Sequence, residues 1–175
     1  MNVKQIRETF EGLIDDSVDN SLLLIWINEA QDAIASEYGV KTSKQIIAVT
    51  DVEYPITSDF LRVLEVRNSD GEDYIWYNIT EWGDISFADD DTYTIHYLKT
   101  PTPVVGNNDI AEPSVHDFLH SLIPVYAAAK FYDRESLGDT EESQMANKLM
   151  GQFEYNLQKR VKALKNRRKK AITFI

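Results

Sequence analysis

The chain of 175 residues contains no cysteine. Disulfides, thiolate nucleophiles and cysteine-type zinc sites are excluded together, and a reducing compartment, or a particle assembled in one, fits that usage. Glycine is scarce, with seven residues scattered singly, so no glycine-rich loop can cradle a phosphate. No G-x-S-x-G turn is present to expose a nucleophilic serine. No apolar run approaches the roughly 18 residues of a membrane span. The opening MNVKQIRETFEGLIDD lacks the apolar core of a secretory signal, so none is expected. No catalytic residue, cofactor or metal is therefore assigned from these motifs.

What is present is ordinary globular composition, 43% hydrophobic and 27% charged, at a length that suits one domain with a sizeable core. The formal net charge of −11 is unevenly placed. Residues 151–175 hold eight Lys or Arg and one Glu, a net of +7, which leaves −18 on the first 150. An acidic body should repel nucleic acid, whereas a basic tail should seek an acidic surface.

Hydrophobic spacing predicts four helices. Val3, Ile6, Phe10, Leu13 and Ile14 mark the first, over about residues 3–15. Asp19, Asn20 or Ser21 can cap the second, whose stripe is Leu23, Trp26, Ile27, Ala30, Ile34 and Tyr38, with Gly39 as a left-handed stop. Pro113 suits the first turn of the third, with Val115, Phe118, Leu119, Leu122, Ile123 and Tyr126 on its apolar face and a kink at Pro124. Asp139 and Glu142 resemble a capping box for a long fourth helix reaching about residue 169. Its stripe is Met145, Leu149, Phe153, Leu157, Val161 and Leu164, and it fades where cations crowd in, so the helix should leave the core before it ends. Between the second and third helices, residues 44–98 predict a small antiparallel sheet of four or five strands. A hairpin is expected around NSDG, and TYTIHYL alternates Tyr93, Ile95 and Tyr97 against Thr94, His96 and Leu98. The expected fold is α+β, mainly α: a four-helix bundle with that sheet inserted. A domain over residues 1–164, with the β insertion at about 44–98, would be followed by a basic and apolar docking tail over 165–175.

Three constellations could carry chemistry. HDFLH places His116 and His120 four apart on one helix face with Asp117 between them, the spacing of a zinc helix. A metal-dependent hydrolase on this pair is one alternative, but a third ligand is missing from the pattern, and two partly exposed histidines at a helix start is the simpler account. The acidic runs Asp15-Asp16, Asp70-Gly71-Glu72-Asp73 and Asp89-Asp90-Asp91 lack calcium-loop spacing and read as solvated turns. Most of the tryptophans and tyrosines, among them Trp76 and Trp82 in EDYIWYNITEW, sit beside acids, which disfavours a stacking platform for nucleic acid built on Trp26, Trp76 and Trp82 and favours core and interface roles.

The ending KRVKALKNRRKKAITFI combines cations with an apolar tip. Cations suit the negative end of a helix dipole, yet AITFI after them does not follow from that. A nucleic-acid module acting through the basic run is a second alternative. Docking into a partner accounts for both halves: Lys165, Arg167, Arg168, Lys169 and Lys170 would steer, and Ile172, Phe174 and Ile175 would anchor.

The order of several stretches resembles the head–tail connector, or adaptor, proteins of tailed bacteriophages. SLLLIWINEAQDAIASEYG is similar to their early helix with its W-I/L-N-x-A core. YPITSDFLRVLEVRNSDG resembles their P-x-D-F-x-R-V strand, and YTIHYLKTPTPV their tyrosine-rich strand followed by x-x-P-x-P. EPSVHDFLHSLIPVYAAAKFY is similar to their E-x-P followed by a helix ending in small and aromatic residues. These stretches span most of residues 18–133. The resemblance implies a structural virion protein of the neck, assembled in the host cytoplasm. Such proteins commonly form rings of twelve copies that dock on the portal, extend the DNA exit channel and present a platform to the next neck or tail protein. DNA would pass through the lumen without specific binding, and no membrane would be involved.

Overall fold

The computed structural model describes residues 1–106, 108–136 and 140–172, with side chains described as far as residue 166. The chain divides into two compact units. One is helical and combines residues 1–38 with 101–175; the other, residues 39–100, is all β.

In the helical unit, α1 (Val3–Ile14) starts at a capping box in which Asn2 and Gln5 exchange side-chain and backbone hydrogen bonds. The N–H groups of Val3 and Lys4, which a helix start leaves without intrahelical acceptors, donate to the carbonyls of Ala111 and Asp109. Asp15 closes this helix in the left-handed conformation. Asp19 caps α2 (Asn20–Glu37) by accepting from the N–H of Ser21. This second helix stops at an extended Tyr38 and passes straight into a strand, so Gly39 is not the left-handed stop that the sequence suggests.

The third helix is built in two parts. A 3₁₀ segment over Asp117–Leu122 leads into α3 (Ile123–Glu135). Pro124 stands in the first turn of α3, where a missing N–H costs nothing, rather than kinking a helix already under way. Pro113, given that role by the pattern, is buried in irregular chain before the 3₁₀ segment. Finally α4 (Thr140–Ile172) runs 33 residues, about 50 Å at the helical rise. The expected cap at Asp139 lies outside the described residues. Ala146, Leu149, Phe153, Leu157, Val161 and Leu164 form its buried stripe, while Met145 stands outside it.

All the other helices pack on α3, and α2 and α4 touch each other less. The core gathers Ile6, Phe10, Leu23, Trp26, Ile27, Leu119, Ile123, Phe153 and Leu157 around the small residues Ala127, Ala128 and Ala129. Phe10 meets Trp26 and Phe131 at ring separations of 6.0 and 6.3 Å.

The β unit holds six strands: β1 (Val40–Ala48), β2 (Tyr54–Pro55), β3 (Phe60–Arg67), β4 (Tyr77–Ile79), β5 (Asp84–Phe87) and β6 (Asp91–Lys99). They form two three-stranded antiparallel sheets, in the orders β1-β6-β3 and β2-β5-β4. The expected four-helix bundle with one small sheet is therefore corrected to four helices and two sheets. Pairing explains the difference. The NSDG turn forms, with the Gly71 N–H donating to the Asn68 carbonyl, but pairing across it ends after the single bridge Arg67–Asp73. The chain then peels away, so β4 pairs with β5, and β3 takes β6 as its neighbour. Tyr93, Ile95 and Tyr97 of β6 point inward as the alternation requires. They meet Ile85 and Phe87 of the other sheet, and the rings of Phe87 and Tyr93 stack 4.0 Å apart.

Candidate partner-docking surfaces

The HDFLH segment is structural. His120 is 1% exposed, and both of its ring nitrogens are engaged. Its Nε2 lies 2.7 Å from the Val115 carbonyl, which can only accept, and its Nδ1 lies 2.9 Å from the Met1 backbone nitrogen. His116, by contrast, is exposed and caps the 3₁₀ segment by accepting from the Phe118 N–H through Nδ1. One imidazole is spent inside the fold and the other on a helix end. No group of three metal-ligating side chains occurs among the described residues. The expectation that both histidines are partly exposed is wrong for His120.

A second polar cluster escaped the pattern. Gln31, on the inward face of α2 and 1% exposed, accepts from the Ser114 backbone N–H at 2.7 Å and from its hydroxyl at 3.2 Å. Its amide donates to Asn28 Oδ1 at 3.1 Å. Asn28 in turn bonds both backbone groups of Val104, at 2.8 and 3.0 Å. This relay fastens the chain to α2 after it re-enters the helical unit at Pro101. A glutamine four residues after Ile27, inside an apolar stripe, was the signal available in the sequence.

The acidic corners of the β unit are hydrogen-bond hubs. Asp90 accepts from the Thr50 hydroxyl and N–H, both at 2.6 Å, and these bonds hold its carboxyl below the usual range. Asp91 is lowered by the N–H of Thr92 and by the N–H and hydroxyl of Ser69. Asp59 is lowered by the Thr57 hydroxyl and then by Lys99, whose ammonium lies 3.0 Å away. Asp89 accepts from the Tyr74 hydroxyl at 2.9 Å; burial, then Tyr93 and Asp89, raise that phenol. These carboxylates tie turns together, as the solvated-turn account expects.

The tail residues divide. Val161 and Leu164 are the last buried positions among the described side chains of α4, after which Lys165 and Asn166 are exposed. The helical backbone continues through Arg167, Arg168, Lys169 and Lys170 to Ile172. Phe174 and Ile175 lie outside the described residues. Upstream, Arg160 belongs to the fold: its guanidinium donates to the Phe118 carbonyl and the Ser121 hydroxyl at 2.7 and 2.6 Å and lies over the Phe118 ring. Lys162 and Lys165 line a shallow depression with Glu37, Gln158 and Val161. Elsewhere on the helical unit, Lys130 meets Glu29 at 3.2 Å, and this contact raises the Lys130 ammonium.

The tryptophans also divide. Trp26 is core, whereas Trp76 and Trp82 are 68% and 84% exposed. An interface role stays open to those two; a core role does not. No helix among the described residues is long and apolar enough to cross a membrane.

No curated protein matches the chain. A family model does, over residues 1–171, nearly the whole length and both units. The chain belongs to the SU10 adaptor protein family, a phage head–tail adaptor family.

Proposed function

We propose that this adaptor docks on the portal as a ring, commonly of twelve copies, through its C-terminal segment. In the same reading it lengthens the DNA exit channel and offers its far face to the next neck or tail protein. Its place is the virion neck, and its work is mechanical rather than catalytic. The observation that carries the reading is the family match together with the course of α4, which runs eight residues past Leu164, the last buried position among its described side chains, and has its cation-rich sequence there. We treat residues 1–164 as the adaptor body and 165–175 as the docking tail.

Charge supports this division. A body at −16 gives a lumen on which DNA slides without adhering, while a cationic segment at +5 is drawn to an acidic socket. Lys165, Arg167, Arg168, Lys169 and Lys170 steer the approach, and Ile172, Phe174 and Ile175 fill the socket. Many copies of a weak contact held in one ring add avidity.

Deleting residues 165–175 tests the reading. The expected result is an unchanged circular dichroism spectrum with loss of co-sedimentation with portal rings. Undiminished co-sedimentation would refute the docking role. Binding of DNA by the intact chain that falls steeply with salt would favour a nucleic-acid role for the same cations.

A further inference from the structure

The β unit carries a feature that portal docking does not use. An open groove is lined by Asp51, Ile75, Trp76, Asn78 and Phe87. Ile75 and Trp76 are 73% and 68% exposed on its wall. Their backbone is nevertheless held: the Trp76 carbonyl accepts from the Ala88 N–H at 3.1 Å, and Tyr77 pairs with Phe87. The opposite side is the turn of residues 49–52, fixed by the Asp51 N–H on the Phe87 carbonyl and by Thr50 on Asp90. That turn brings two further exposed apolar residues, Val49 and Val52. Single exposed hydrophobics are common on any surface, but a held tryptophan beside a groove, with apolar neighbours on two sides, has the make-up of an interface anchor.

Charge identifies the occupant. Between Arg67 and Lys99 the sequence has eight acids and not one Lys or Arg. Asp51, Glu53, Glu72, Asp73, Asp89 and Asp90 are all exposed on the segments that build or flank the groove. Residues 39–100 as a whole hold twelve acids and five bases, a net of −7. A phosphate backbone is repelled by such a surface, and an acidic protein equally so. An apolar centre within an anionic rim fits a protein that offers a protruding apolar side chain set among Lys and Arg.

We propose that the Trp76 groove is the receiving site for a second neck protein, which inserts an apolar side chain against Trp76 and Ile75 and surrounds it with cations. The proposal rests on the adaptor reading and adds to it the surface that takes the next protein and the chemistry that protein must bring. Portal docking uses cations of this chain on the helical unit; this contact uses anions on the β unit, so the two cannot share a partner surface.

Virions assembled with a photo-crosslinking benzoylphenylalanine in place of Trp76 supply the test. Irradiation should join this chain to one neck protein that is neither the portal nor a second copy of the adaptor. A cross-link to another adaptor copy, a cross-link to the portal, or no cross-link at all would overturn the proposal. In a parallel assay, W76A combined with I75S should leave portal co-sedimentation unchanged and weaken capture of the cross-linked protein at least about tenfold, the scale of an interface anchor. Capture undiminished in that variant would also overturn it. Loss of portal co-sedimentation by the unsubstituted chain would instead strike the adaptor reading, and the cross-link still reports on the groove.

Discussion

Replacing Gln31 by alanine should cost the protein a large part of its stability without touching any surface. The side chain is 1% exposed and makes three hydrogen bonds, two from Ser114 and one to Asn28. Truncation leaves the Ser114 N–H without its acceptor, which costs about 1–3 kcal/mol where water is scarce. It also opens a small void in the face of α2, which adds about 1 kcal/mol. The expected loss is about 2–4 kcal/mol, set against a total that for domains of this kind is about 5–15 kcal/mol. Q31M separates the two contributions, because it fills the volume and restores no acceptor; it should keep the hydrogen-bond share of the loss. Urea unfolding gives the values, with an unchanged slope required for the comparison. Amide exchange at Ser114 and Val104 should quicken in both variants. Asn28 shares the relay, so N28A and Q31A together should cost less than their separate sum by about 0.5 kcal/mol or more. If both single variants unfold within about 0.5 kcal/mol of the parent, the relay carries no structural weight and the reasoning fails.

Other perturbations follow the same logic. F153A removes a ring that is 3% exposed and packs edge-on to Tyr126 at 5.1 Å, and should cost about 3–5 kcal/mol in urea unfolding. At Gly83, φ is +82° and an added Cβ would lie 3.1 Å from Phe60 Cδ1; G83A should lower stability by at least about 1–2 kcal/mol in a thermal melt, and a neutral result would contradict the strain. Asp59, Asp90 and Asp91 titrate below the ordinary 3.8 in the folded protein. Their stabilisation is therefore complete above that pH and lost as pH falls below it. Near-ultraviolet circular dichroism should follow that loss on acidification, and T50V, which strips Asp90 of a hydroxyl donor, should reduce the share lost there. R160A should loosen the 3₁₀ segment, seen as faster amide exchange over residues 118–122, while the spectrum of the β unit stays as it was.

Several elements were legible because they depend on neighbours in sequence. Val3, Ile6, Phe10 and Ile14 of the first stripe, the Asp19 cap and the inward Tyr93, Ile95 and Tyr97 of β6 follow local patterns, whereas Leu13 of that stripe is exposed and Leu98, expected on the other face of β6, is buried. The departures share a different origin. FLRVLEVRNSDGEDYIWYN has two strand-like runs and a real turn, yet the second run pairs with β5 instead of β3, a pairing that no local signal encodes. Pro113 and Pro124 are equally able to open a helix, and the choice between them is made by the 3₁₀ segment that His116 caps. Met145 and Ala146 compete for one inward position, and the smaller residue takes it. The roles of His120 and Gln31 were hidden because each is satisfied by backbone groups distant in the chain or by a neighbouring loop. For the proposed docking tail, the sequence exposes charge and apolarity, but a socket belongs to another molecule.

The register of β1 on β6 has a consequence for how such a chain can change. Val40 pairs with Lys99, so the inserted segment departs and returns through adjacent partners of one ladder. To the helices, sixty-odd residues occupy the span of an ordinary loop. A module attached by so narrow a stem can be lengthened, exchanged or pruned with no change in the distance that the helical chain must bridge. Selection can therefore alter one unit while leaving the other to its own constraints.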